Sequence, residues 1–230
     1  MTINEMHIAW DMKVDGVQSL NYIDFTREEK DYWINQAIRT FVKERFSGRN
    51  GLGFEENQKR IEDLRILVTD VTLSPSGVGN KPNSRVFTLP DDYFITDEEE
   101  VGIGNTGTSE SSSSTRVGIT ECAGDNYRFF IDNPFSAHRM KYGKAKPLRT
   151  FIGDKVEIIG DGTYDIKFYY LRYLKEPAKV DSLSSPQVDS DLNSFNHDEI
   201  VDMAVRMATA SIGDQNKYQL LSIEEQRNIN

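Results

Sequence analysis

Covalent chemistry in this chain would have to come from a short set of side chains: three histidines (His7, His138, His197) and one thiol, Cys122. None lies in a nucleophile setting. There is no Gly-x-Ser-x-Gly elbow and no phosphate-cradling Gly-Lys-Ser/Thr loop. Cys122 follows an expected strand, Arg116–Glu121, with no basic partner near it, and reads as a half-buried structural thiol. Gly102-Ile103-Gly104-Asn105-Thr106-Gly107 has the glycine spacing of a dinucleotide fingerprint. That motif needs a strand before it and a helix after it to receive the pyrophosphate. A serine run follows instead, so the segment reads as a loop. His197-Asp198-Glu199 are consecutive at a helix start and point in different directions, which suits capping better than metal binding. Asp189, Asp191 and Asn193 occupy the first, third and fifth places of a calcium loop. The sixth-position glycine is missing and Ile200 stands where the bidentate acid belongs, so the reading fails.

Two charged runs are candidates for non-covalent work. Asp97, Glu98, Glu99 and Glu100 read either as a solvated loop or as a surface that repels nucleic acid. The segment from His138 to Lys146 interleaves Arg139, Lys141, Lys144 and Lys146 with Tyr142. It could touch phosphates or pair with an acidic neighbouring copy of the same chain, and the second reading is favoured. The 230 residues carry 27 Lys and Arg against 37 Asp and Glu, a net charge of −10. That balance argues against a protein that grips a phosphate backbone. A single cysteine excludes an internal disulfide framework and a cysteine-rich zinc site. No run approaches the ~20 apolar residues of a membrane span, and the start, Met1-Thr2-Ile3-Asn4-Glu5, lacks the pattern of a signal peptide. The expectation is a soluble, acidic, cytosol-made protein.

The elements that must hold these residues change character along the chain. Thr2 with Glu5, and Thr26 with Glu29, are capping boxes opening two helices. Ile3, Met6, Trp10 and Val14 make one apolar stripe. Trp33, Ala37, Phe41 and Arg45, flanked by Ile34, Ile38, Val42 and Phe46, make a wider one. A third helix is expected from Phe54 to about Leu64. Alternation then replaces the helical period from Ile66 to Leu73, and Arg85–Leu89 and Tyr93–Ile95 flank a bend at Pro90. Leu148–Ile152, Val156–Ile159 and Tyr164–Tyr173, separated by Asp/Gly turns, read as an antiparallel meander. Ser74–Ser84 and Gly102–Thr115 read as loops, and a polar linker runs from about Glu176 to Asn193. Asn196 with Glu199 is a further capping box, Phe195 is placed to staple Ile200, and Ile200, Met203, Ala204, Met207 and Ala208 form one face up to Gly213. The tail, Asn216–Asn230, has little apolar surface.

Helices at both ends bury most simply against each other. The expected fold class is α+β: a helical bundle formed by the N- and C-terminal helices, with an inserted antiparallel β domain. The divisions are residues 1–67, the first part of the bundle; 68–180, the β domain; and 194–230, the closing helix and tail.

Several ordered segments resemble phage head–tail connector (adaptor) ring proteins, and among them the neck ring proteins of crAss-like gut phages. These are Glu28–Ala37 with Phe41-Val42-Lys43, Arg85–Tyr93 with its Leu-Pro-Asp-Asp-Tyr ending, Asn133-Pro134-Phe135, Lys146–Arg149, Leu171–Pro177, His197–Val201 and Ser222–Arg227. The resemblance implies a non-enzymatic virion protein at the neck of the portal vertex, assembled in the host cytoplasm. It implies a ring, usually of twelve copies, below the portal that joins capsid to tail and lines the DNA channel. The implied partners are the portal protein, copies of itself, other neck or tail proteins, and passing duplex DNA without specific binding. No cofactor, metal, catalytic residue or membrane is implied. Lys217, Tyr218, Leu220, Leu221 and Ile223 would then dock on the portal, and Asp97–Glu100 would face the channel. Two other readings compete: a nucleic-acid-binding phage protein using residues 138–146, and a hydrolase using His138 or Cys122.

Overall fold

The computed structural model describes residues 1–15, 25–47, 62–104, 115–133, 135, 146–162 and 164–212. Helices are α1 (Ile3–Asp15), α2 (Arg27–Ser47), α3 (Tyr127–Asp132) and α4 (His197–Ile212). Strands are β1 (Val68–Leu73), β2 (Gly77–Val78), β3 (Ser84–Thr88), β4 (Tyr93–Gly104), β5 (Thr115–Gly118), β6 (Thr120–Glu121), β7 (Leu148–Ile152), β8 (Lys155–Ile159) and β9 (Asp165–Lys175). Helices combined with sheets make the chain α+β. The described residues up to Leu67 and from Pro177 onward form one compact unit, and Val68–Glu176 form another.

In the helical unit both N-terminal caps close as the sequence predicts. The Thr2 N–H donates to Glu5 Oε2 at 2.8 Å while the Glu5 N–H donates to Thr2 Oγ1 at 3.3 Å. Thr26 and Glu29 repeat the exchange at 2.8 and 3.3 Å. Each box satisfies two backbone donors that a helix start leaves free. Ile3, Met6, Trp10 and Val14 are buried on α1, and Ile34, Ala37, Ile38, Phe41 and Val42 on α2. Both helices pack on α4. There the buried face is Ile200, Val201, Ala204, Val205 and Ala208, while Met203 and Met207 are only half-buried. The third expected helix, Phe54–Leu64, lies outside the described residues except for helical Glu62–Leu64.

The cap expected at Asn196 is not formed. A 3-10 turn, Ser194–Asn196, leads straight into α4, and Asn196 is buried without a side-chain cap. Glu199 is drawn away by Arg45, whose Nη2 meets its two carboxylate oxygens at 2.5 and 2.7 Å. A carboxylate paired with a guanidinium gains attraction between two full charges, which its bond to an uncharged backbone N–H lacks. Phe195 is 90% exposed, so it staples nothing.

The expected polar linker is a strap bound to the helices. The Val180 N–H donates to Asn35 Oδ1 at 2.9 Å and Asn35 Nδ2 donates back to the Val180 carbonyl at 3.0 Å. Ser182 donates its N–H and its hydroxyl to Asp31 Oδ2 at 3.0 and 2.7 Å. Asp189 Oδ1 accepts the Ile3 N–H at 2.7 Å, and Asp191 Oδ1 accepts that of Ala178 at 3.2 Å. A segment this poor in apolar groups is held because its amides meet acids and amides of the helices.

The β unit is built on two sheets, ordered β1-β9-β4-β5 and β2-β3-β8-β7-β6. Phe87, Val156 and Ile158 of the second sheet share one buried cluster with Val101, Ile103, Val117, Tyr169, Leu171 and Tyr173 of the first. All pairings are antiparallel except β6 with β7, which is parallel. The predicted β7–β8 hairpin forms around Gly153, whose φ is +62°, a value that favours glycine. The predicted meander does not continue. β9 leaves the second sheet and runs between β1 and β4 of the first. At the crossing, the Gly160 N–H donates to the Asn83 carbonyl at 3.1 Å, and a Cβ on Gly162 would stand 2.8 Å from Asn83 Nδ2. The turn is thus pressed against the β2–β3 connection instead of folding β9 back on β8. The single strand expected over Arg116–Glu121 is likewise two, β5 and β6, which change sheets at Ile119. β4 is far longer than Tyr93–Ile95, the expected loop Ser74–Ser84 contains β2, and α3 has no counterpart in the sequence reading.

Candidate functional site

Side chains that could do covalent chemistry are occupied with structure. Cys122 is buried with Leu148 and Ile159, and its Sγ–H donates to the Ala123 carbonyl at 3.3 Å. Burial, reinforced by the negative charge of Asp125, pushes the thiol pKa up, so the thiolate is disfavoured. His197 is buried with Nε2 3.0 Å from the Leu192 carbonyl, and desolvation lowers its pKa. His138 lies outside the described residues.

One constellation was not legible in the sequence. His7 Nε2 stands 2.8 Å from Asp31 Oδ1, and Asp31 Oδ2 takes the two bonds from Ser182. The three residue types are those of a hydrolytic triad, but their order is wrong for one. A triad sets the imidazole between hydroxyl and carboxylate so that it can take the hydroxyl proton. Here the carboxylate is in the middle and all three groups are buried. The arrangement ties α1, α2 and the strap together. Asp31 and Ser182 lie 151 positions apart, so spacing gives no sign of it.

Gly102 and Gly104 belong to β4, between antiparallel neighbours, and the remaining motif residues 105–107 lie outside the described ones. A Cβ on Gly102 would come within 2.1 Å of the Phe168 ring. This glycine makes room for an aromatic ring crossing its strand. Arg116 lies 5.9 Å from that ring centroid and 4.8 Å from the Tyr170 centroid.

Asp97–Glu100 are in strand β4, which corrects the loop reading. Asp97 pairs with Arg172 at 3.1 Å, Glu99 with Arg149 at 2.6 Å and Glu100 with Arg116 at 3.3 Å. Glu98 is exposed and opposite Arg172 in the register. Glu99 also accepts the Tyr169 hydroxyl at 2.8 Å; burial first, then that carboxylate, drives the phenol pKa far up. The run is paired with arginines of the adjacent strands β9 and β5 and with Arg149 of β7 in the other sheet. Of the basic candidates, Lys146 is exposed before β7, while Arg139, Lys141 and Lys144 lie outside the described residues. So do Lys217, Tyr218, Leu220, Leu221 and Ile223.

What the described residues offer is surface. Ile8 and Met12 are 60% and 70% exposed one turn apart on α1. On the β unit a cleft of about 560 Å³ is lined by Leu89, Pro90, Asp91, Tyr93, Phe151, Gly153 and Asp154. Among the described residues no group of three His, Cys, Asp or Glu is gathered to hold a metal ion, and no helix is long and apolar enough to cross a membrane. A family model, that of phage tail ring protein 3/4, matches residues 1–219. No curated protein matches the chain.

Proposed function

This chain belongs to the phage tail ring protein 3/4 family of crAss-like phages, and we propose that it is a non-enzymatic subunit of a ring at the virion neck. In this reading twelve copies form a ring below the portal, join capsid to tail and surround the path of the DNA. A helical bundle made by both ends of the chain carries an inserted β domain, and the segment from Asn216 to Asn230 docks on the portal. The observation that carries the reading is the family match over nearly the whole chain. The net charge of −10 supports it, because an acidic wall repels duplex phosphates and leaves the DNA free to move. The bonding of His7, Asp31, Ser182, Cys122 and His197 supports a structural role, since each of these side chains makes a bond within the fold. Reconstruction of the virion neck tests it. Density for this chain in a closed ring coaxial with the portal is the expected result. Density elsewhere in the particle, or a basic inner wall, would overturn the reading.

A further inference from the structure

We propose that the cleft beside the β7–β8 hairpin receives the basic segment 138–146 of a neighbouring copy of this chain. The proposal rests on the ring reading above and names the contact that would join one copy to the next.

The cleft is preformed. The Leu89 N–H donates to the Asp154 carbonyl at 3.0 Å, which docks the hairpin turn on the end of β3. The Tyr93 N–H donates to the Pro90 carbonyl at 3.1 Å, and the Tyr93 hydroxyl is 2.7 Å from Thr96 Oγ1. The rings of Tyr93 and Phe151 face the cleft with centroids 6.4 Å apart, and Tyr173 backs Tyr93 at 5.9 Å. Little has to be ordered on the receptor side, so little affinity is lost there to entropy.

Its chemistry selects a cation. The lining contains two aromatic rings, two carboxylates (Asp91 and Asp154) and no basic side chain. Among the described residues neither carboxylate is engaged by a cation, and both residues are exposed. Phe151 is 41% exposed and already takes a guanidinium, with Arg149 4.4 Å from its centroid. Aromatic faces beside carboxylates are the surroundings that hold a Lys or Arg side chain.

The chain supplies such a ligand. Residues 138–146 carry Arg139, Lys141, Lys144 and Lys146 with no acid, interleaved with Met140 and Tyr142, in a chain with ten more acids than bases. The donor is assigned to a neighbour because the ring reading sets a second copy of the same surface beside each cleft. Lys146 lies just before β7, while Phe151 and the hairpin stand at the other end of that strand, about 17 Å away at ~3.3 Å per residue. Lys146, the described end of the segment, and the cleft are thus different parts of one surface. A contact of this kind is head-to-tail, the type that closes rings.

The test is an NMR titration of the full-length chain with a synthetic peptide of residues 136–147. Shifts clustered at Tyr93, Phe151 and Asp154 are expected, with affinity at least tenfold weaker in an Asp91→Lys/Asp154→Lys variant whose spectrum is otherwise native. Exchanging the four cations of the peptide for Glu should restore binding to that variant. No binding at millimolar peptide, equal binding of a scrambled peptide, or binding only after the chain's own four cations are changed to Gln would each overturn the proposal, the last by showing that the segment sits in its own copy. The titration requires no assembled ring, so its failure is separate from failure of the ring reading, which the neck reconstruction decides.

Discussion

Replacing Asp31 by Ala should loosen the helical unit and leave the β unit untouched. Asp31 is 8% exposed and accepts three bonds, from His7 Nε2 at 2.8 Å and from the Ser182 N–H and hydroxyl at 3.0 and 2.7 Å. Its removal leaves the Ser182 N–H with no means of reorienting, at a cost of ~1–3 kcal/mol for one buried unsatisfied donor. The hydroxyl can rotate and the imidazole can change tautomer, so they add less than a full share each. The total should be about 3–5 kcal/mol, from ~1–3 kcal/mol for the stranded N–H and about 1 kcal/mol for each of the other two bonds. With a urea slope of ~2 kcal/mol/M, the midpoint falls by about 1.5–2.5 M. Both tryptophans, Trp10 and Trp33, lie in the helical unit, so their fluorescence reports that unit alone. Asp31→Asn should cost less, since its carbonyl can still accept from Ser182 and its amide can donate to a re-tautomerised His7. A fluorescence midpoint lowered by less than about 0.5 M in the Ala variant, or an Asn variant as weak as Ala, would refute the assignment of this carboxylate as the tie between α1, α2 and the strap.

In the β unit, Arg149→Met should strand Glu99 and cost about 3–5 kcal/mol, because Arg149 is 6% exposed and holds that carboxylate at 2.6 Å; far-UV circular dichroism with denaturant would show the loss, and added Glu99→Gln should recover part of it. His197, with its pKa lowered by burial, favours the neutral form in the native state. Its contribution to stability is therefore complete above the ordinary value of 6.5 and is lost as pH falls below that toward the depressed native value; unfolding titrations of His197→Gln should lack this component. Tyr173 donates its hydroxyl to Asp92 at 2.8 Å, and burial, then that bond, push its pKa up to about 12 from 10.0. Stability tied to its neutral form is present below pH 10 and lost as pH rises through about 12, so Tyr173→Phe should flatten alkaline unfolding in that window. Deleting residues 216–230 should leave the unfolding midpoint unchanged and weaken capture by immobilised portal protein; equal capture would dispose of the docking role.

The parts of the fold that sequence exposed are those decided within a few residues. Thr2 with Glu5 and Thr26 with Glu29 cap at three positions' separation, and the α1 stripe of Ile3, Met6, Trp10 and Val14 is a helical period. Tyr169, Leu171 and Tyr173 alternate along β9, and all three are in the core. Alternation says which face of a strand is buried but nothing about which strands lie beside it. That is why β9 was expected next to β8 and is found between β1 and β4. The failed cap at Asn196 has the same origin, because the competitor for Glu199 is Arg45, 154 positions away. The strap was hidden for another reason: Ser182, Asp189 and Asp191 look solvated by composition, while their partners are backbone amides and buried acids that no pattern of hydropathy reveals. Of the candidate surfaces, the acidic run was visible but its arginines were not, since Arg116, Arg149 and Arg172 reach it across strands.

Those arginines bear on where a DNA-repelling wall would come from. Three of the four carboxylates in Asp97–Glu100 are matched by a guanidinium, so the stripe presents much less free charge than its sequence suggests. Counted along the chain, residues 68–176 hold 16 acids against 13 bases, whereas residues 1–67 and 177–230 together hold 21 against 14. The surplus is thus seven in the stretches that supply the helices and only three in the β stretch. Residues 177–230 are the most lopsided, with nine acids against four bases. Repulsion of a duplex depends on net potential over a surface and not on local runs of one sign. An acidic lining in the proposed ring is therefore better furnished by the stretches that bear the helices, while the β stretch, nearly balanced and carrying both the cationic segment 138–146 and the carboxylate-rimmed cleft, is suited to attraction between like copies. In the proposed ring, separating repulsion of DNA from attraction between subunits along the chain would let one acidic protein do both.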